Sequence, residues 1–427
     1  MNEYDSDRIV TNLTKINYSR TNDPLEADCY ILNTCHIREK ATQKVYHDIG
    51  RVKKLFKNKK KPIVIVAGCV AQAEGEILMK REAYIDGVIG PQSYHYLNNV
   101  LLQIENKKKK IIFTEFEAEN KFDDLVDNKN KDSKISSFLT IQEGCDKFCK
   151  FCVVPYTRGP EFSRKFNQII SEAKQLVDQG TKEIILLGQN VNAYDYSGKK
   201  LSDLIFSLDN INGLERIRYT TSHPRDMSDD LIKIHGVSKK LMPLLHLPVQ
   251  SGSNKILNKM NRKHTIDEYL NVVEKLRKEK STIEFSSDFI IAYPGETEED
   301  FLKSVNLMKK IKFINTYSYI FSPRPGTPSA KLNLVESKIA KERLIGFQEI
   351  SKKIKKDYKK KLIGNKVKVL FENKINNNQF FGRDEYHNSI VINSNKDIVG
   401  KTLEVNIKEC NLQTIYGDLH NQKDAAA

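Results

Sequence analysis

The chain has 427 residues, 39% of them hydrophobic, with 70 Lys and Arg against 55 Asp and Glu and a net charge of +15. That length accommodates two or three ordinary domains, and seven cysteines are too sparse for a disulfide scaffold. Met1–Val10 is acidic and polar rather than a secretory leader, and no apolar run reaches the ~18 residues of a membrane helix, so a cytoplasmic protein with no membrane partner is expected. The basic excess points to a polyanion, nucleic acid first, or else to a lysine-rich coding bias that coats every surface.

In chain order, the apolar runs Cys29–Leu32 and Ile63–Ala67 predict buried strands, with the amphipathic stretch Glu39–Phe56 between them. Residues 1–132 therefore read as a small α/β domain, with loop and linker predicted at Lys107–Lys110 and Glu117–Ser136. Residues 136–364 alternate strand and helix patterns. The predicted strands are Phe138–Gln142, Ile184–Gly188, Ile217–Thr221, Leu244–Val249, Ile283–Ile291 and Tyr317–Phe321. Phe166–Gln179 carries Ile169, Ile170, Ala173, Leu176 and Val177 on one helical stripe, with Gly180 as a stop. Thr265 with Glu268, and Thr297 with Asp300, predict capping boxes that open two more helices. Six β/α units predict a parallel sheet with helices outside it. Lys331–Lys361 holds 11 Lys and Arg against 4 Asp and Glu and predicts a basic helix. In residues 365–420 the runs Val367–Phe371, Ser389–Ile392, Thr402–Ile407 and Leu412–Ile415 predict a small antiparallel β-barrel. Its charges balance, 7 against 7, so RNA contact there would rest on backbone, polar and aromatic groups and on the basic helix before it. Ala425–Ala427 reads as a disordered tail.

Cys145, Cys149 and Cys152 form a C-x3-C-x2-C pattern directly after a predicted strand, where parallel α/β folds place their active sites. Three crowded thiolates suit three irons of a [4Fe–4S] cube and leave the fourth iron open to S-adenosylmethionine (SAM). The rival, a structural zinc site, needs a fourth nearby ligand that the local sequence does not offer. Gly188, Gln189 and Asn190 end one predicted strand, and Gln250 and Ser251 follow another. Both groups either touch the cofactor or simply shape turns. Arg158 and Arg164 read either as phosphate or substrate contacts or as surface ion pairs. His223 and His246 read as structural histidines, Cys29 and Cys410 as structural thiols, and Pro323, Pro325, Gly326 and Pro328 as a rigid turn. Cys35 and Cys69 are weak metal candidates on spacing alone.

The string IQEGCDKFCKFCVVPYTRGPEFSR at 141–164 resembles the core of the radical-SAM methylthiotransferases. So do NTCHIREKA at Asn33–Ala41, AGCVAQ at Ala67–Gln72, GQNVNAY at Gly188–Tyr194, TTSHP at Thr220–Pro224, HLPVQSGS at His246–Ser253 and FSPRPGTPSA at Phe321–Ala330. The resemblance covers nearly the whole chain and is closest to the MiaB-type tRNA enzymes. It implies an N-terminal methylthiotransferase domain over 1–132 that lacks its first residues. It further implies a radical-SAM partial (β/α)6 barrel over 136–364 and a C-terminal TRAM domain over 365–420. It also implies an enzyme that turns N6-isopentenyladenosine, next to the anticodon of tRNA, into its 2-methylthio form. In that scheme a [4Fe–4S] cluster on Cys145, Cys149 and Cys152 works with SAM, and a flavodoxin or ferredoxin supplies electrons to a monomer. The family holds a second [4Fe–4S] cluster on three N-terminal cysteines. Cys35 and Cys69 match two of these; the first lies in a GCQMNEYDS-like string, and this chain opens at MNEYDS. A second cluster that is incomplete in this chain is therefore expected. Alternative substrates are N6-threonylcarbamoyladenosine tRNA or a ribosomal-protein aspartate. An alternative of another class is a non-catalytic RNA-binding protein.

Overall fold

The computed structural model describes residues 1–35, 39–107, 109–115 and 134–420, the side chains of 39–42 excepted. The tail at Ala425–Ala427, most of the predicted linker and the His36–Arg38 part of the NTCHIREKA string lie outside the described residues. The chain forms two compact units: Met1–Lys131 with Glu143–Phe162 and Ser322–Ala330, and Asp132–Gln142 with Ser163–Phe321 and Lys331–Ala427.

In the first unit, strands β1 (Cys29–Thr34), β2 (Ile63–Gly68), β3 (Gly87–Ile89) and β4 (Ile111–Phe113) make one parallel sheet in that order. Parallel strands need crossovers, and the crossover helices cover both faces. Helices α1 (Asn2–Thr14) and α4 (Leu97–Lys107) pack Ile9, Leu13, Leu97, Val100 and Leu101 against Ile65, Ala67 and Ile89. Helices α2 (Glu39–Leu55) and α3 (Cys69–Arg81) pack Val45, Ile49, Val70 and Leu78 against Val66 and Val88 on the other face. The alternation along β2 assigns each side chain to one of the two cores. Helix α1 has no signature in the sequence pattern because it is mostly polar; its buried side is Tyr4, Ile9 and Leu13 with the polar Asp5 and Arg8. The short helix α5 (Val154–Arg158) follows the cysteine motif and belongs to this unit.

In the second unit, β5 (Ser136–Thr140), β6 (Glu183–Leu187) and β7 (Arg216–Tyr219) form one parallel sheet, and β8 (Leu244–His246), β9 (Glu284–Ile291) and β10 (Asn315–Ile320) form another. A parallel bridge between Ile217 and Leu241 links the two. Between the strands run α6 (Phe166–Asp178), α7 (Leu201–Asp209), α8 (Asp229–Val237), α9 (Asn254–Lys259), α10 (Ile266–Glu279) and α11 (Glu298–Ile311). Both predicted capping boxes form, Thr265 accepting from the Glu268 amide and Thr297 from that of Asp300. Strand β8 falls furthest short of its expected span: it stops at His246, because Pro248 has no amide to pair and Gln250 takes a φ of 75°. Leu139, Ile184, Leu186, Ile217, Phe285 and Phe289 pack in one core with the helices. The alternate positions Glu183, Arg216, Arg218 and Asp288 point to the opposite face.

Helix α12 (Ser337–Lys360) leads into a closed five-stranded barrel ordered β11 (Lys366–Lys374), β12 (Gln379–Arg383), β13 (Ser389–Asn393), β15 (Thr414–Leu419) and β14 (Thr402–Cys410). The expected all-antiparallel barrel needs correction, since β13 and β15 pair in parallel to close it. Strand β12 escaped the sequence pattern because it is short, follows the Asn376–Asn378 turn and contains Gly382. No described helix is long and apolar enough to cross a membrane.

Two arginines of β7 seat this barrel. Arg216 donates to the Arg383 carbonyl at 2.7 Å and the Lys368 carbonyl at 3.1 Å; Arg218 donates to the Asp384 and Glu385 carbonyls at 2.9 Å. Arg218 also meets the buried carboxylate of Glu183 at 2.7 Å. Burial opposes the Glu183 charge, and Arg218 outweighs it and holds the carboxyl below its usual range. Replacing Arg218 by Ala would strand a buried carboxylate and cost about 3–5 kcal/mol. At a few degrees per kcal/mol, thermal unfolding by circular dichroism should fall on the order of 10 °C, with E183Q/R218A recovering part of it. An unchanged midpoint would contradict the clasp.

Candidate active site and cofactor-binding residues

Gly144 sets the start of the cysteine loop. Its φ is 73°, and a Cβ there would lie 1.7 Å from the Pro160 carbonyl oxygen, so only glycine allows this approach. The loop is held by backbone: Cys145 N–H donates to Gly159 O at 3.1 Å, Cys152 N–H to Cys149 O at 2.9 Å, and Ser329 N–H to Lys150 O at 3.1 Å. The last bond comes from the short helical turn Pro328–Lys331, which follows the turn at Arg324–Thr327, where Gly326 takes a φ of 81°. The proline-rich string therefore makes the expected turn and also buttresses the loop. Cys149 is buried, and Cys145 and Cys152 are half-buried. Burial pushes the Cys145 thiol up to about 12; ligation requires the thiolate, so metal binding must release that proton. Phe148 and Tyr156 stand exposed beside the loop, edge to face at 6.5 Å.

Among the described residues no three His, Cys, Asp or Glu side chains gather closely enough to hold one metal ion. An iron–sulfur cube takes its thiolates on separate corners, the kind of donor that Cys145, Cys149 and Cys152 supply from one loop. None of the seven cysteines is in a disulfide.

Cys35 and Cys69 directly follow Thr34 and Gly68, the last paired residues of β1 and β2, so both sit at the carboxyl ends of neighbouring strands. Gly68, with a φ of 93°, lets the chains come together: a Cβ there would lie 2.3 Å from Thr34 O. Thr34 Oγ1 ties the two ends by donating to Ala67 O at 2.6 Å and accepting from Val70 N–H at 3.3 Å.

Arg158 is a different residue from the expected surface pair. It is buried, and its Nη2 donates to Asp5 at 2.8 Å while its Nε donates to Cys69 Sγ at 3.3 Å. Glu143 lies 3.8 Å from Nη1. Burial works against the guanidinium charge; Asp5, then Cys69 and Glu143, more than reverse this. Gln92 Nε2 fixes the Arg158 carbonyl at 2.6 Å. Asp5 and Gln92 carried no signal in the sequence beyond the MNEYDS string. Arg164 is likewise buried, donating to Thr140 O at 2.6 Å and Glu172 at 2.9 Å.

In the second unit, the amides of Gln189 and Asn190 both donate to Gln142 Oε1 at 3.0 Å, and Thr221 Oγ1 donates to Gly188 O at 2.6 Å. Asn190 Nδ2 donates to Asp226 at 2.7 Å. Gln250 joins β9 through both backbone groups, at 2.9 Å to Asp288 O and from Ile290 N–H, and its buried Oε1 has no donor. That orphan acceptor fits an ammonium or hydroxyl of a bound SAM. The Ser251 hydroxyl is engaged in its own turn, accepting from Ser253 N–H at 3.2 Å beside Ser304 Oγ. His223 Nδ1 accepts from Arg225 N–H at 3.2 Å, a turn contact, whereas His246 bonds Ser286 Oγ at 2.9 Å and faces Asp288 at 3.6 Å. Cys29 packs in the first unit's core, where burial pushes its thiol up to about 12, and Cys410 packs against the barrel core.

A protein of Pelagibacter ubique (strain HTCC1062) called tRNA-2-methylthio-N(6)-dimethylallyladenosine synthase is 60% identical, over 98% of this chain and 95% of its own length. Proteins of the same name from Ehrlichia ruminantium (strain Welgevonden) and Rickettsia bellii (strain RML369-C) are 48% identical, over 99% and 98% of this chain and 96% and 97% of theirs. The chain belongs to the tRNA-2-methylthio-N(6)-dimethylallyladenosine synthase family. In this family of radical-SAM methylthiotransferases the three recognisable segments are the radical SAM superfamily at residues 139–308, the uncharacterized protein family UPF0004 at 1–90 and the TRAM domain at 360–420. The fold is that of radical-SAM enzymes. The methyltransferase TsrM from Kitasatospora setae, solved with cobalamin and a [4Fe–4S] cluster, aligns with a TM-score of 0.60 at 14% identity, over 77% of this chain and 74% of that one.

One basic surface lies on the second unit. Lys352, Lys353, Lys356 and Lys360 of α12 are exposed. A cavity of about 620 Å³ opens between the end of this helix, at Lys356, Lys359 and Lys360, and the Asn411–Gln413 turn. Lys359 reaches into the turn, donating to Asn411 O at 3.1 Å and Leu412 O at 3.2 Å, and burial pulls its ammonium down to about 8.

Proposed function

We propose that the chain adds a methylthio group to C2 of N6-isopentenyladenosine next to the anticodon of tRNA. The 60% identity across 98% of the chain to an enzyme of that name carries the assignment. Cys145, Cys149 and Cys152 would hold a [4Fe–4S] cluster, which supplies reductive cleavage of SAM when bound. The parallel strands β5 to β10 would form a partial barrel, within a radical-SAM domain at 136–364, with a methylthiotransferase domain at 1–132 and the TRAM barrel at 365–420. Gln250 Oε1 and the Gly188–Asn190 turn would orient SAM, the turn being pinned by Gln142 and Asp226. Cys35 and Cys69 would supply two of the three ligands that the family uses for a second cluster, the source of sulfur. Helix α12 and the TRAM barrel would grip tRNA through phosphates, and an electron donor of the flavodoxin or ferredoxin kind would serve a cytoplasmic monomer.

The substrate is the test. Isopentenylated tRNA incubated with the chain, SAM and a reductant should yield 5′-deoxyadenosine and the methylthio nucleoside, and the same tRNA without the isopentenyl group should yield neither above background. Equal product on both would overturn the assignment of the prenylated nucleoside.

A further inference from the structure

Arg158 couples two parts of the first unit that are far apart in sequence. It closes α5, six residues after Cys152, yet its guanidinium rests on Cys69 at the start of α3 and on Asp5 of α1. Few arrangements justify burying an arginine. Asp5 at 2.8 Å and Glu143 at 3.8 Å balance its charge, but Nε is spent on a sulfur, and Nη1 has no acceptor within hydrogen-bond distance. A buried donor left in that state fits an acceptor that arrives with a bound group. Sulfides of an iron–sulfur cluster are such acceptors. Cys69 lies at the carboxyl end of β2 beside Cys35, so a cluster held there would place its sulfur within reach of the same guanidinium.

We propose that Arg158 is a positioning residue for the second cluster: it orients Cys69 by its Nε hydrogen bond, offers Nη1 to cluster sulfur and offsets the negative charge of the thiolates. This rests on the reading that Cys35 and Cys69 ligate a cluster. Asp5 aims the guanidinium, and Gln92 fixes its backbone. Cluster potentials depend on net charge and on hydrogen bonds to sulfur, so the removal of both should make the cluster harder to reduce.

The test uses the full chain carrying C145A, C149A and C152A, so that only the second cluster can form. After anaerobic reconstitution, iron is counted and the reduced cluster is titrated by electron paramagnetic resonance. R158Q should shift the midpoint potential to more negative values, change the g-tensor and lower the iron retained. R158K, which keeps the charge but not the geometry, should fall between. Because R158Q leaves Asp5 buried without its cation, D5N/R158Q is measured as well; it removes that unpaired charge and should show the same shift if folding is intact. Iron bound with an unmoved potential and spectrum in R158Q and D5N/R158Q would overturn the role of Arg158 alone. No iron in the triple-cysteine variant with Arg158 in place would overturn the second-cluster reading, and this proposal with it.

Discussion

Alanine at Cys145, Cys149 and Cys152 together should abolish reductive cleavage of SAM and remove one four-iron cluster per chain. Three thiolates leave a cube with one open iron, and the loop offers three within eight residues. The variant should stay folded, because backbone hydrogen bonds from Cys145 to Gly159, Cys152 to Cys149 and Ser329 to Lys150 brace the loop and survive the loss of the thiols. Iron content, visible absorbance and 5′-deoxyadenosine formation measure the loss. Cleavage that survives in the triple variant would mean that the cluster lies elsewhere.

The second large effect is expected on tRNA binding. Glutamate at Lys352, Lys353, Lys356 and Lys360 reverses four exposed positive charges on α12. Each lysine withdrawn from a phosphate lowers the slope of log affinity against log salt by about one, so the slope should flatten by up to about four. Affinity near 0.1 M salt should fall by at least about tenfold, more if all four lysines meet phosphate. Lys355 is left out although it sits in the same run: it is half-buried, burial lowers its pKa, and a charge reversal there would test folding instead. Filter binding or fluorescence anisotropy across a salt series gives both quantities. An unchanged slope and affinity would reduce the charge of this helix to compositional bias.

The sequence made the six parallel strands and the cysteine loop legible because both are local patterns. Apolar runs such as Ile184–Leu187 and Phe289–Ile291 announce buried strands, and the cysteine spacing is a ligand set in itself. What it hid is long-range pairing. Nothing near Arg158 says that its partner is Asp5, 153 residues away, or that its Nε meets Cys69. An exposed pair and a buried one look alike in a sequence, since burial is decided by packing. The same holds for Gln142, whose single oxygen fixes the amides of Gln189 and Asn190, and for the parallel closure of β13 on β15, which depends on barrel geometry rather than on either strand's residues.

The most direct measurement is mass spectrometry of nucleosides digested from isopentenylated tRNA after anaerobic incubation with the reconstituted chain, SAM and a reductant. The expected result is conversion of N6-isopentenyladenosine to its 2-methylthio form, dependent on Cys145, Cys149 and Cys152. Abundant 5′-deoxyadenosine with the nucleoside unchanged would contradict methylthiolation of this substrate.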